Sequence, residues 1–369
     1  MLTSTTRAFG SPSRYIQGYG ELERLQDYTA DYGKKVLAII DPFFYDTLSP
    51  SLKEAFEAAG SALESVKFGG ETTITELERL AAIASQNGSD VIVGIGGGKT
   101  IDAAKYTGIA VSAAIVIAPT SAATDAPTSA LSVTYTEEGV HAETIYFKRN
   151  PDLILVDSKI VSKAPIRLLV SGMGDALSTW FEARACKNSG ARTMARGNVS
   201  NTGLMMARLC YDLLMEKGRD ALAAVERHEV TPALEDVVEA TIYLSGLGFE
   251  NGGLAAAHAV NDGFAQEPQA HGMYHGEKVA FGTLVQLVLE KAPQEELEQV
   301  LAFLRDTGLP LTLAQLGVKE IVPETLKKVA EAAVVPTQST KNLRADITAQ
   351  EVYDAILEAD RIGRDYLAR

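Results

Sequence analysis

Five histidines occur in the chain, and three of them, His258, His271 and His275, fall in one short segment. His258 closes the run NGGLAAAH, whose small residues suit a closely packed helix face, and His275 opens HGEKVAFG. Asp175 lies in GMGDALSTW, early in a long helical stretch. One carboxylate and two imidazoles suit a three-ligand site with a coordination position left open for water or substrate, which is the pattern of catalytic zinc. Gly252, Gly253 and Ala255 to Ala257 let helices approach closely around such an ion. Each residue also has a plainer reading. A lone histidine is more often a core or surface residue, and an aspartate in a first helical turn is often only a cap.

A second constellation is GIGGGKTIDAAK, residues 94–105, joining an apolar run to a helical one. Gly96, Gly97 and Gly98 remove every Cβ from the turn, so a pyrophosphate can reach backbone N–H groups, and the following helix adds free amides and a positive dipole end. Gly98-Lys99-Thr100 is like the end of a triphosphate loop, but Val93 stands where that motif needs its first glycine, which disfavours triphosphate hydrolysis. The GxGxxG fingerprint with a later acidic residue also fails. Asp41, at the end of an earlier strand, is the candidate ribose carboxylate. There it would accept the 2′-hydroxyl and repel a 2′-phosphate, favouring NAD over NADP; a simple Asp-Pro turn explains Asp41 equally well.

The elements that must position these groups divide the chain in two. Apolar runs at 35–40, 62–68, 90–95, 113–119 and 152–157 read as strands, with helices expected at 49–60, 74–88 and 100–110 between them. That order predicts a mostly parallel sheet covered by helices, with LSVTY (131–135) and ETIYFK (143–148) as an antiparallel excursion. After Pro165 strand signals fade, and helices are expected at 166–189, 193–216, 231–249, 252–264, 276–291, 295–307 and 349–366. The expected architecture is an α/β dinucleotide-binding domain over 1–163 and an all-helical metal-binding domain over 164–369.

Bulk properties narrow the function class. The 369 residues allow two domains, and 46% hydrophobic with 22% charged residues is ordinary for a globular protein. A net charge of −14 repels phosphate backbones and disfavours nucleic acid as a partner. No run approaches the ~20 apolar residues of a membrane span, and the N-terminal segment lacks the apolar core of a signal peptide. Cys186 and Cys210 read as reduced core residues, which fits a cytoplasmic protein.

Taken together, SRYIQGYGELERL, GIGGGKTIDAAK, APTSAATDAPTSALSVTY, GMGDALSTWFEARAC, GFENGGLAAAHAV and YHGEKVAFGTL resemble the group III, or iron-containing, alcohol dehydrogenase family across nearly the whole chain. The resemblance implies a dehydroquinate synthase-like fold, with a dinucleotide-binding domain followed by a helical one. It implies metal ligation by Asp175, His258 and His275, and cofactor phosphates against Gly97, Gly98 and Lys99 with Asp102 beginning the next helix. Asp41 would take the adenine ribose. Thr120 and Ala123 would line the cofactor, and Ser129, Leu131 and Tyr135 would face its nicotinamide side. Asp125 would hold substrate hydroxyls and act at the catalytic centre with the three ligands, while Phe249 would pack on the substrate. Iron-dependent members place a histidine one helical turn after the ligating aspartate; here that position is Thr179. The departure resembles the zinc-using branch, which oxidises glycerol to dihydroxyacetone, and related vicinal diols, with NAD as a homo-octamer. A phosphorylated substrate would need clustered cations, and Arg184, Lys187 and Lys278 form no such cluster in sequence. His271 is expected to be a solvated loop residue, with a place behind the metal ligands or a proton-relay role as the alternatives.

Overall fold

A computed structural model describes residues 5–369. Its contacts divide the chain into two units, and not by a single cut at 163/164. One unit is Gly10–Pro165 with Ala224–Tyr243; the other holds the N-terminal stretch up to Phe9 with Ile166–Ala223 and Leu244–Arg369.

In the first unit six strands form one parallel sheet: β1 (Arg14–Gly18), β2 (Lys35–Ile40), β3 (Ala62–Lys67), β4 (Val91–Gly96), β5 (Ala114–Pro119) and β8 (Leu153–Asp157). Their spatial order is β1-β8-β5-β4-β2-β3. β6 (Leu131–Tyr135) and β7 (His141–Tyr146) make the antiparallel pair, with a register shift at Thr134/Tyr135. β2, β4, β5 and β8 are near-continuous aliphatic runs because helices cover both faces of a parallel sheet. β1 was not expected. RYIQG carries one strongly apolar residue, and edge pairing with β8 from Arg14↔Leu153 to Gly18↔Asp157 makes it a strand. The helix expected at 49–60 begins at Pro42, because Asp41 is its N-cap, accepting from the Phe43 N–H at 2.9 Å, with proline in the favoured first position.

The other unit is helical. Ile166–Ser189 appears as expected. The helix expected at 193–216 runs instead from Asn201 to Glu226, because Arg196 takes positive φ and the Ser200 hydroxyl accepts from the Gly203 N–H. The expected 231–249 element is Pro232–Glu239, a π-helical turn over Ala240–Leu244, and Ser245–Gly252. Ala256–Gly263, His275–Glu290, Gln294–Thr307 and Ala349–Leu367 follow, with Pro323–Ala333 unforeseen. No described helix is long and apolar enough to cross a membrane. Cys186 and Cys210 are both buried thiols, not joined in a disulfide.

One helix contact matters most for the site. A Cβ on Gly276 would stand 1.8 Å from the Ser171 carbonyl oxygen and 2.9 Å from the Asp175 nitrogen, and one on Gly174 would stand 2.4 Å from the Gly276 oxygen. The helices Ile166–Ser189 and His275–Glu290 therefore meet backbone to backbone. Arg167 fastens the contact with two bonds to Glu277, at 2.6 and 2.8 Å. Gly276→Ala is expected to push these helices apart and destabilise the protein by about 1–3 kcal/mol, the cost of overpacking. A chemical-denaturation midpoint equal to that of the parent protein would contradict this.

Candidate metal centre and nucleotide turn

The close helix approach brings Asp175 and His275 together, and the helix Ala256–Gly263 adds His258. The Asp175 Oδ1 lies 3.2 Å from the His275 Nε2 and 3.3 Å from the His258 Nε2. One ligand atom from each residue falls within 4.8 Å of the others. Asp175 is fully buried, yet neither of its carboxylate oxygens takes a well-formed hydrogen bond. A desolvated carboxylate without donors is costly unless a cation faces it. With two imidazole nitrogens aimed at the same point, the residues fit a divalent metal with nitrogen and oxygen ligands. His275 is about half exposed, which leaves one side of the centre open.

Burial pushes the Asp175 carboxyl up, but the imidazoles of His275 and His258 outweigh it and hold the group well below the ordinary carboxylate range. Burial pushes the His258 imidazole down, but the carboxylates of Glu182 and Asp175 outweigh it and raise it well above its usual value.

Glu182 is the residue that sequence reasoning missed. It is fully buried, two turns beyond Asp175 on the same helix, and its Oε2 accepts from the His258 Nδ1 at 2.6 Å. The spacing of Asp175, Ser178 and Glu182 puts the three on one helix face, but the same helix carries Arg167, Thr179, Arg184 and Lys187, so this spacing alone did not single Glu182 out. Thr179 is closed off as a ligand position. Its hydroxyl bonds the Ser245 hydroxyl at 2.9 Å, and its methyl would touch a Cβ on Gly248 at 2.3 Å. Phe249 is buried on the helix Ser245–Gly252, which packs on Ile166–Ser189. His271 is exposed, with its Nε2 on the Ala265 carbonyl at 3.1 Å. Of the three cations considered above, Arg184 pairs with Glu290 and Glu296 and Lys187 donates to the Val199 carbonyl, whereas Lys278, three residues after His275, is half-buried, which pushes its ammonium down.

In the other unit, β2 connects outward to β3 while β4 connects the opposite way to β5, so the chain direction switches between β2 and β4. Ligands of open parallel sheets bind at the carboxyl ends of strands at such a switch. Asp41 ends β2 there and Gly96–Gly98 follows β4. Gly97 is the N-cap of the helix Gly98–Ala110 with no side-chain cap, and a Cβ on it would meet nothing within 4 Å. The helix start therefore has no side-chain cap, and its first-turn amides have no intrahelical acceptor. A Cβ on Gly96 would collide with Thr100 at 2.6 Å and with the Asp41 Cβ at 2.9 Å, so glycine is required where the two strands' ends converge. The second Asp41 oxygen receives the Thr100 hydroxyl at 3.4 Å. Lys99 is paired with Glu71 at 2.6 Å and lies over the Tyr135 ring.

Asp102 is buried. Its Oδ2 accepts from the Val133 N–H at 2.9 Å and its Oδ1 pairs with Lys105 at 2.9 Å, so it pins the helix to β6. Burial raises its carboxyl, against the pull of Lys105. The buried Lys105 ammonium also bonds the Ala126 carbonyl and the Ser129 hydroxyl, fixing the loop that carries Asp125 and Ser129. Thr120 and Asp125 are buried, whereas Ala123, Leu131 and Tyr135 are partly exposed.

The chain thus combines a parallel-sheet unit with a glycine turn at its strand ends and a helical unit with a carboxylate–imidazole cluster. The iron-containing alcohol dehydrogenase profile matches residues 12–158. The chain is 49% identical to the glycerol dehydrogenase of Escherichia coli O6:H1 over 98% of both chains. It is 47% identical to that of Pseudomonas putida, over 98% of this chain and 99% of the relative. A crystal structure of a probable glycerol dehydrogenase from Sinorhizobium meliloti superposes with a TM-score of 0.92 at 45% identity, covering 98% of this chain and 99% of that one. The chain therefore belongs to the iron-containing alcohol dehydrogenase family and is an enzyme.

In the metal-free protein, Asp175 stabilises the fold above the unfolded carboxylate value of about 4. His258 stabilises it below the unfolded imidazole value of about 6.5, and that contribution is lost as pH rises through its higher folded value. A divalent ion must displace the His258 proton, so its affinity climbs with pH. Zinc added to chelator-treated protein is expected to raise the thermal midpoint more at about pH 8 than at about pH 6. A smaller or equal shift at the higher pH would contradict this.

Proposed function

We propose that this enzyme reversibly oxidises glycerol to dihydroxyacetone, and related vicinal diols, with NAD as hydride acceptor and zinc held by Asp175, His258 and His275. The observation that carries the reading is the fully buried Asp175 carboxylate, whose Oδ1 faces two imidazole Nε2 atoms at 3.2 and 3.3 Å. Zinc, when bound, supplies Lewis acidity toward an alcohol oxygen, and NAD takes the hydride.

The chain's own residues do the positioning. Gly97 and Gly98 offer the amides of an uncapped helix start to the cofactor phosphates, with Lys99 alongside. Asp41 accepts from the adenine ribose and excludes a 2′-phosphate, while continuing to cap its own helix. Asp102 acts through Lys105 and β6, holding the loop around Ser129 in place. Thr120, Ala123, Ser129, Leu131 and Tyr135 line the cofactor. The Asp125 carboxylate accepts hydrogen bonds from substrate hydroxyls, and Phe249 supplies an apolar surface beside them. A neutral polyol suits the commitment of Arg184 and Lys187 to protein partners, which leaves Lys278 as the one cation of the three with neither an ion pair nor a hydrogen bond at its ammonium among the described residues. The curated relatives named glycerol dehydrogenase, matched at full length, support the substrate.

NADH absorbance with glycerol and NAD is expected to disappear on chelation and return with zinc. Activity that survives complete chelation would remove the metal from the reaction. Asp125→Asn is expected to raise the KM for glycerol at least about tenfold, the loss of a charge-assisted hydrogen bond, while the KM for NAD stays within about twofold. An unchanged glycerol KM would remove Asp125 from substrate binding.

A further inference from the structure

We infer that Glu182 is the positioning residue of the metal centre, fixing both the tautomer and the place of His258. This rests on the metal reading above and adds a residue to it. Glu182 is fully buried and faces three donors. Its Oε1 accepts the backbone N–H groups of Ala255 at 2.8 Å and His258 at 3.1 Å, and its Oε2 accepts the His258 Nδ1–H at 2.6 Å. The Ser178 hydroxyl, one turn back, also reaches Oε2 at 3.3 Å. A neutral imidazole that donates from Nδ1 carries its lone pair on Nε2, the atom directed at Asp175. One carboxylate therefore decides which histidine nitrogen is available to a metal, and by holding the helix start at Ala255 it decides where that nitrogen sits.

The surrounding loop is fixed to the same end. The Cys186 thiol and the Asn342 amide donate to the Leu254 carbonyl, and the Ser339 hydroxyl donates to the Ala255 carbonyl. Gly253 turns with φ +89°, and a Cβ there would lie 2.8 Å from the Cys186 sulfur. The backbone that Glu182 grips has no slack to compensate for a change in its side chain.

Glu182→Gln makes a sharp test because it keeps the shape and removes one acceptor. The three nitrogen partners now facing the carboxylate, two backbone N–H groups and Nδ1–H, are all donors, and only the Ser178 hydroxyl, which also donates to the Asp175 carbonyl at 2.8 Å, could accept from an NH2 group. Either the new NH2 group opposes the backbone N–H pair, or it faces Nδ1 and forces the imidazole proton onto Nε2, where it blocks ligation. We expect zinc affinity, read by competition with a chromophoric chelator, to fall about 10–100-fold. The visible spectrum of the cobalt(II)-loaded protein should change in parallel. Glu182→Asp keeps the charge on a shorter arm, and is expected to recover part of the affinity but not all of it. NADH binding, read by fluorescence, reports that each variant is folded.

A folded Glu182→Gln protein that binds zinc within about twofold of the parent, with an unchanged cobalt spectrum, overturns the inference. If Glu182→Gln does not fold, Glu182→Asp decides: parent-like affinity and spectrum overturn the inference, and a reduced affinity with an altered spectrum supports it. A parent protein that binds no zinc, or a His258→Ala protein that binds it equally well, overturns instead the metal reading on which the inference rests.

Discussion

A carboxylate that is fully buried and accepts no proper hydrogen bond is the constraint around which the helical unit is arranged. Taking Asp175 out of water costs several kcal/mol unless positive charge replaces the lost hydration. Two other helices deliver what faces it: the one carrying His258 and the one opening at His275. The glycines around it serve that convergence. Gly174 and Gly276 let two backbones touch, Gly248 makes room for Thr179, and Gly253 turns the chain into the His258 helix. A side chain at any of these positions would displace a ligand or its support.

The nucleotide-type unit obeys a parallel constraint at a different scale. Its sheet is closed to water on both faces, so ligand chemistry is confined to the carboxyl ends of the strands. There the ends of β2 and β4 pack so closely that Gly96 cannot carry a Cβ, and the next residue begins a helix with no side-chain cap. The buried pair Asp102–Lys105 is spent on architecture, tying the first turns of that helix to β6 and to the loop of Asp125 and Ser129. Removing either partner leaves an uncompensated charge in the interior, a greater loss than the bond alone.

Much of this was legible in the sequence, and the failures have physical causes. Long aliphatic runs marked β2, β4, β5 and β8, because strands buried on both faces need no alternation. β1 was invisible because RYIQG borrows its conformation from pairing with β8, a contact distant in sequence. Asp41 had two rival readings, turn and ligand; it does cap the helix from Pro42, while its second oxygen receives the Thr100 hydroxyl beside the glycine turn. The residues Asp175, His258 and His275 were found by type, and their meeting depends on helix contacts that no local pattern encodes. Glu182 escaped because a glutamate in a helix usually signals solvent, and only the fold shows that it is buried against His258. The return of Ala224–Tyr243 to the first unit likewise follows from tertiary contacts, such as Gln17 with Glu235 at 2.9 Å and Tyr15 stacked on Tyr243.

The central claim is that one metal ion is held by one carboxylate and two imidazoles. Anomalous diffraction from zinc-soaked crystals, collected on both sides of the zinc edge, tests it most directly. The account predicts a single strong anomalous peak bounded by Asp175 and the Nε2 atoms of His258 and His275, with zinc–nitrogen distances of about 2.0–2.1 Å. A peak elsewhere, or none at these residues under saturating zinc, would contradict it.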